Sequence, residues 1–517
     1  MKKITIIFVF ALLGLAAVGV RAGNGEGTVK VGYVLLDEEG NRSVEHSTFN
    51  QYEGLGLSFE RFRYNFDNGL RLGADLKRIT LNNRNLSLAL EKSGLFGIRT
   101  YNNQYRRTYN FEGSTFTRRH RTGASAWFVP HKYFKVFGGG DYVGKSGRMS
   151  DWFDLNQPEV VEDVDFTQFS YNIGLRANHR GGMFQAEYRA ADYRDDIDNS
   201  RDQKRSKIRL AALLPVPRYE WVLLSGGFQH FETKYDKTDY KISANTVWGG
   251  TTVKLPRNFT VSYKFYFDRT GSDSDLVATD NLSHAFFAGR VWPGLAGLTL
   301  GYQHDINDDA VDAVKADGMY FSGWLKPLKN LDFRAEHGFR KEEVDEGARL
   351  LGDEDRNYFK ISGKYRYADY ASFTARYDDK HRENDQLGSD IDFKRMALDA
   401  SLTLAGWGTL AAGYAYANGE YENTEEMFEF ADHLVHGDIS TEEYYNVTAG
   451  FGVSYYRSKQ DLDVESYNLR FTGAYRFMKT HRLEITYNVH NFDDFLVMDN
   501  YYTANIVEVN LIKIMSF

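Results

Sequence analysis

The chain has 517 residues and 63 Lys and Arg against 71 Asp and Glu, a formal charge of −8, so it has no global attraction for nucleic acid or anionic lipid. It has no cysteine, which excludes disulfides, thiolate metal sites, a cysteine nucleophile and covalent CxxCH haem attachment. Aromatics reach 15%, led by 37 Phe and 35 Tyr, while proline falls to 7, far below the usual share of about 5%; the chain should be rich in strands and poor in irregular linkers.

The first predicted element is Met1-Lys2-Lys3, an apolar run from Ile4 to Val20, and Val20-Arg21-Ala22. This is the plan of a secretory signal peptide over residues 1–22, cleaved after Ala22, leaving 23–517 as one domain. Losing Lys2, Lys3 and Arg21 takes the charge from −8 to −11. No later apolar run reaches the ~18 residues that a membrane helix needs.

From Gly27 onward, segments of about ten residues alternate apolar and polar side chains, beginning with a strand at Thr28–Leu35. Phe259, Val261, Tyr263, Phe265 and Phe267 share a face opposite Thr260, Ser262, Lys264 and Tyr266. The same pattern runs through 183–190, 330–337, 357–367, 371–377 and 482–490, and Leu469, Phe471, Gly473, Tyr475 and Phe477 repeat it.

The connections come in two kinds that take turns. The short ones lie at Asp67-Asn68-Gly69, Lys92-Ser93-Gly94, Pro130-His131-Lys132, Asn178–Gly182, Pro215–Arg218, Pro256-Arg257-Asn258, Trp292–Gly297, Pro327–Asn330, Tyr367–Tyr370, Ala405–Gly408 and Met478–His481. The long polar ones cover 37–49, 104–118, 143–165, 194–205, 268–280, 305–316, 341–355 and 378–390. Short turns on one side and long loops on the other indicate a large single-chain antiparallel transmembrane β-barrel of the Gram-negative outer membrane. Six of the seven prolines (Pro130, Pro215, Pro217, Pro256, Pro293, Pro327) and five of the seven tryptophans (Trp127, Trp221, Trp292, Trp324, Trp407) lie at or near short turns. Proline cannot donate to a ladder, and tryptophan belongs in an interfacial girdle. A propeller would need four short strands per blade and signatures that are absent.

The pattern counts 24 strands, or 26 if Met427–Leu434 and Tyr444–Tyr455 also cross; either even number puts both ends in the periplasm. The last strand sets Val507, Val509, Leu511, Met515 and Phe517 on one face, and its aromatic end resembles the signal read by the barrel-assembly machinery. Outer-membrane lipid and lipopolysaccharide would be its other partners.

The faces expected inward carry Gln185, Glu187, Arg189, Lys264, Arg334, Glu336, Lys360, Lys364, Arg366, Arg376, Arg470, Arg476, Glu484 and Glu508, so the lumen should be wet. Arg118-Arg119-His120-Arg121, with Arg106 and Arg107, is the densest basic patch and could hold lipopolysaccharide phosphates. Asp305, Asn307 and Asp309 begin like a calcium loop, but Ala310 replaces its glycine and Ala316 its bidentate acid. The acids Asp151, Asp154, Glu159, Glu162, Asp163 and Asp165 read as a hydrophilic outer surface. No nucleophile elbow, HExxH, phosphate loop or histidine ligand spacing occurs, so no catalytic, cofactor-binding or metal residue is expected and the protein reads as a non-enzyme.

Barrels of 16 to 18 strands already leave an aqueous channel, and those of about 22 hold a plug. Here the first strand follows closely on the cleavage site, which argues against an N-terminal plug and a TonB-dependent receptor. Folded-in loops or a partner should fill the lumen. Val29–Tyr33, then Phe49-Asn50-Gln51-Tyr52-Glu53-Gly54-Leu55 and Gly97-Ile98-Arg99-Thr100-Tyr101, resemble the start of the porin-like sheath proteins of outer-membrane porin–cytochrome conduits (MtrB/PioB type). The resemblance covers about the first 100 residues and the architecture. The chain departs from it in being shorter and in lacking the N-terminal cysteine pair of some members. It implies a sheath around a multihaem cytochrome for electron transfer across the membrane, with haem on the partner and no cofactor on this chain. The alternative is a stand-alone diffusion porin for small polar solutes.

Overall fold

The computed structural model describes residues 23–44, 51–110, 113–150, 161–273, 278–309, 313–344, 353–384, 388–423, 427–497 and 500–516. Residues 1–22, expected above to be a signal peptide, lie outside them, as do Pro158 and terminal Phe517. Twenty-six strands follow one another: β1 (Gly23–Gly40), β2 (Gly54–Phe66), β3 (Leu70–Lys77), β4 (Asn85–Lys92), β5 (Phe96–Thr108), β6 (Phe116–His131), β7 (Phe134–Ser150), β8 (Val161–His179), β9 (Gly182–Asp195), β10 (Gln203–Val216), β11 (Tyr219–Tyr235), β12 (Lys241–Leu255) and β13 (Phe259–Ser272) form the first half. The second half is β14 (Thr279–Trp292), β15 (Ala296–Asp309), β16 (Ala313–Leu328), β17 (Leu331–Val344), β18 (Glu354–Tyr367), β19 (Ala371–Asn384), β20 (Ser389–Leu404), β21 (Gly408–Glu422), β22 (Met427–Thr441), β23 (Val447–Gln460), β24 (Val464–Met478), β25 (His481–Asp494) and β26 (Tyr501–Ser516). Each strand pairs antiparallel with its chain neighbours, and β26 closes on β1 from Glu26↔Ser516 to Gly40↔Tyr502. Closure removes both sheet edges, which is what lets a sheet sit in hydrocarbon.

The larger of the two strand counts is therefore the right one. Its extra hairpin, β22–β23, turns at Glu442–Asn446, where Tyr444 and Val447 bridge and where Tyr445 and Asn446 hold φ of 48° and 66°. With neither glycine nor proline, that turn carries little sequence signal.

The outer connections are shorter than the polar stretches suggested. β7 runs to Ser150 and β8 starts at Val161, and β15 and β16 are separated by residues 310–312 alone. Ladder hydrogen bonds do not depend on side-chain polarity, so the strands continue above the membrane with polar residues on both faces; loss of alternation marks the membrane edge, not the strand end. Asp305 and Asn307 accordingly sit within β15, not in a calcium loop, and Asp305 is ion-paired to Arg340.

Proline behaves as its missing N–H requires. The β6–β7 register slips between Phe128 and His131, around Pro130; β10–β11 slips at Pro215/Val216; β16–β17 slips between Leu325 and Leu328, around Pro327. Each proline sits in a bulge where the ladder needs no donor.

Two tryptophans, Trp127 and Trp324, depart from the girdle expectation, whereas Trp292, on the same side of β14 as Phe286, faces outward as expected. Directly opposed residues share a face, and Trp127 opposes Phe137, which opposes Gly174, which opposes luminal Glu187. Trp324 likewise opposes Arg334. Both indoles stand at girdle height but point into the barrel. Each covers a glycine on the neighbouring strand: a Cβ added at Gly97 would lie 2.4 Å from Trp127 Nε1, and one at Gly297 would lie 2.3 Å from Trp324 Nε1. Aromatic cover of strand glycines pins register, and it explains why 47 glycines coexist with so many rings.

Candidate functional site

The site is the lumen. The pleat sends alternate residues to each side, and the outward set is apolar and exposed: Tyr263, Phe286, Leu300, Phe321 and Ile361 are among them. The inward set carries the charges, as expected for all fourteen residues named above. Arg334 opposes Ser362, which opposes Arg376; Glu336 opposes Lys360, which opposes Asp378.

Taking strands about 4.8 Å apart and tilted about 40°, 26 strands give a wall about 50 Å across between backbones. Subtracting about 5 Å of side chain on each side leaves roughly 40 Å of free width. Among the described residues every strand belongs to this wall. The longest connection, residues 41–53, has 13 residues between β1 and β2; going out and back at about 3.4 Å per residue, it reaches about 22 Å at most. No single connection spans the lumen.

One connection does fold against the inner wall. Residues 78–84 join the short β3 and β4 and lie back on β2, with Ile79 N–H donating to Leu57 O at 2.7 Å and Arg78 N–H donating to Ser58 Oγ at 2.9 Å. Leu81 packs over Gly54 and Gly56, whose missing side chains leave the room. Beside it Glu508 of β26 faces Lys30 at 3.3 Å and Arg78 at 3.7 Å, and Lys30 also faces Glu484 at 3.6 Å. The seam where the barrel closes is thus lined by an apolar cap and an ion-pair cluster. Sequence reading named Glu484 and Glu508 but missed Lys30 and Arg78, because only closure brings β1 to β26.

The basic patch at the outer end of β5–β6 divides. Arg119 and Arg121 alternate with Arg118 and His120, and Arg121 faces the lumen with Asp141 at 3.1 Å. Arg118 and His120 point outward, so the six residues do not form one phosphate-binding surface. Of the outer-surface acids, Glu162, Asp163 and Asp165 lie on β8, whereas Asp151, Asp154 and Glu159 fall outside the described residues.

A histidine group occupies the outer rim of β19–β20. His381 opposes Asp392 and Glu383 opposes Asp390, and ligand atoms of His381, Asp390 and Asp392 all lie within 4.8 Å of one another. His381 Nδ1 is 3.0 Å from Asp392 and 3.3 Å from Asp390, and Nε2 is 3.7 Å from Glu383. Burial alone would lower the imidazole pKa, but the Asp392 hydrogen bond and the three carboxylates outweigh it and raise it. Because the folded pKa lies above the unfolded value of about 6.5, the stabilisation is complete below that pH and is lost as pH rises through the folded pKa. Amide-exchange protection at the outer ends of β19 and β20, corrected for the intrinsic rise of exchange with pH, should therefore fall as pH rises above about 6.5 in the native protein and stay level in His381→Gln; equal profiles would refute the coupling. The effect is modest, since the ring is 38% exposed.

No protein-family model matches the chain, and no curated protein sequence matches it. Solved structures do. The ferric enterobactin receptor PfeA of Pseudomonas aeruginosa superposes with a TM-score of 0.52 and 10% identity over 96% of this chain and 80% of the receptor. P. aeruginosa FpvA, solved with a pyoverdine–iron complex, gives 0.52 and 10% over 95% and 72%. The copper transporter OprC gives 0.50 and 12% over 95% and 80%. At such identities the likeness concerns the fold. The chain is a large closed β-barrel of the outer-membrane type, similar in fold to these receptor and transporter barrels.

Proposed function

We propose that this barrel is a porin-like sheath, inserted in the Gram-negative outer membrane, that houses a multihaem cytochrome and so lets electrons cross. The observation that carries the proposal is the width. About 40 Å of free lumen, walled by 26 strands none of whose connections crosses it alone, suits a folded partner as filler, without which so wide a hole would leak. The wall is mostly polar, which suits a soluble protein as filler. The resemblance of Val29–Tyr33, Phe49–Leu55 and Gly97–Tyr101 to sheath proteins supplies the haem-bearing identity of that partner. The absence of cysteine fits, since the covalent haem ligation would belong to the cytochrome. In this reading residues 1–22 are removed on secretion, 23–517 form the barrel, and the barrel-assembly machinery inserts it. The chain itself carries no catalysis.

Purification from native membranes, with absorption spectra and bilayer conductance on one sample, decides the matter. The expected result is a haem-containing partner of sub-stoichiometric to equal amount, little conductance in the complex, and a large conductance once the partner is stripped. By cross-section, the empty barrel should conduct about three times as well as a porin of 16–18 strands. A haem-free preparation with small, stable, loop-limited conductance would instead make the protein a diffusion porin.

A further inference from the structure

We infer that the luminal wall between β5 and β10 holds a binding recess for a multivalent oxyanion, a polycarboxylate or phosphate. Two adjacent rows of opposed residues build it. One runs Tyr101, Gly123, Asp141, Ser170, Ala191, Arg205; the other runs Arg99, Ser125, Gly139, Asn172, Arg189, Lys207. In the middle of both rows the side chains are small or absent, so the wall dips. At the ends stand long side chains, with Tyr101 and Arg121 on one side and Arg189, Arg205 and Lys207 on the other. The hollow has a volume of about 440 Å³, within the range of ~300–1,000 Å³ usual for small-molecule sites.

Its charge is not balanced by the wall. Arg121 is held by Asp141 through two contacts of 3.2 and 3.1 Å. Arg189 is held by Glu187 at 2.6 Å, and Glu187 also accepts from Asn172 at 3.3 Å. Those two acids are consumed. Arg205 donates to the neutral amide of Gln203 at 3.1 Å, and among the described residues neither Arg205 nor Lys207 has an ion pair. On the next inward position Arg209 lies over the Trp248 ring at 5.5 Å. Two cations two residues apart on one strand are held about 7 Å apart by the pleat, which suits an anion with more than one charged group. In a chain whose formal charge is −8, such an excess facing inward runs against the global balance.

The same chemistry can come from a free polyanion in the lumen or from carboxylates on an inserted protein, and two arms separate these sources. In the first, citrate and inorganic phosphate are titrated calorimetrically into the purified, partner-free barrel at low salt, with glucose as neutral control. The expected result is salt-sensitive binding of citrate, absent for glucose, and weakened about ten-fold or more in R205Q/K207Q. That double variant leaves both native ion pairs in place, and heat-modifiable migration on gels verifies folding; R205K/K207R should retain binding. No citrate binding at about 20 mM salt, or equal binding by R205Q/K207Q, would overturn the recess. In the second arm, the double variant is purified from native membranes. Loss of a co-purifying protein assigns the recess to that protein's carboxylates, and retention assigns it to a free anion. The first arm needs no partner, so failure of the sheath reading and failure of the recess remain distinguishable.

Discussion

Gly408→Val is expected to prevent the β21–β22 hairpin from forming and to leave most of the protein unable to close into a heat-modifiable barrel. Gly408 opens β21 just after the Ala405–Trp407 turn, opposite Thr441, with φ at +144°. That region is nearly closed to residues with a Cβ and costs on the order of 1–3 kcal/mol even when sterically accommodated. Here it is not accommodated: an added Cβ would lie 1.8 Å from Ser440 O and 2.7 Å from Thr441 Cα. Both are backbone atoms of the paired strand, so no rotamer relieves the contact. The strand would have to separate at its periplasmic end, and each ladder N–H and C=O left unpaired as it does costs about 1–3 kcal/mol. Gly406→Ala offers the control. Gly406 also has positive φ (+76°) but open space around its would-be Cβ, so it should lose only the conformational cost and still fold. Folding yield into liposomes and urea midpoints measure both; comparable yields for Gly408→Val and wild type would show that the local backbone differs from that described.

Leu300→Arg and Thr299→Arg are neighbours in sequence and should behave oppositely. Leu300 is 54% exposed and opposes Ala288 and Phe321 on the outward face of β15. It stands five residues above the Leu295 turn, near the middle of the apolar band. Arginine there should destabilise the barrel by about 2–4 kcal/mol. Thr299 opposes Gly289 and Ser322 on the inward face, where water solvates a guanidinium, and its substitution should change stability by less than about 0.5 kcal/mol. Equilibrium unfolding of the two variants in one lipid checks the face assignment directly. Equal costs would mean that the two faces see the same solvent.

These two experiments separate what alternation reveals from what it hides. The lipid-facing rows were legible because hydrocarbon imposes one demand, apolar side chains at every second position, and that demand is local. Phe259 to Phe267 and Leu469 to Phe477 show it plainly. The periplasmic turns were legible because tight reversals need glycine, proline or asparagine. Where the turn at Glu442–Asn446 offered neither glycine nor proline, the β22–β23 hairpin was left as an alternative, 24 strands or 26. The outer strand ends were read too short because above the membrane nothing requires alternation, while the ladder persists. Inward-facing Trp127 and Trp324 were misplaced because a ring that covers a glycine across the sheet has its partner on another strand, which sequence distance conceals.

By itself, then, the sequence determined an all-β chain with period-two segments, twelve reversals less one, a wet charged face and a cysteine-free wall. These are properties of single strands and their immediate joints. The tertiary structure decided what depends on neighbours in the ring. Closure of β26 on β1 made the strand number 26 and joined Lys30 to Glu508. Register across six strands placed Gly139 and Ser170 between Arg121 and Lys207, turning scattered residues into one recess. Opposition across strands split the basic run at Arg118–Arg121 between lipid and lumen. The reason is geometric: one residue of slip sends every side chain to the other face, and a barrel's pairings are set only when all strands have met.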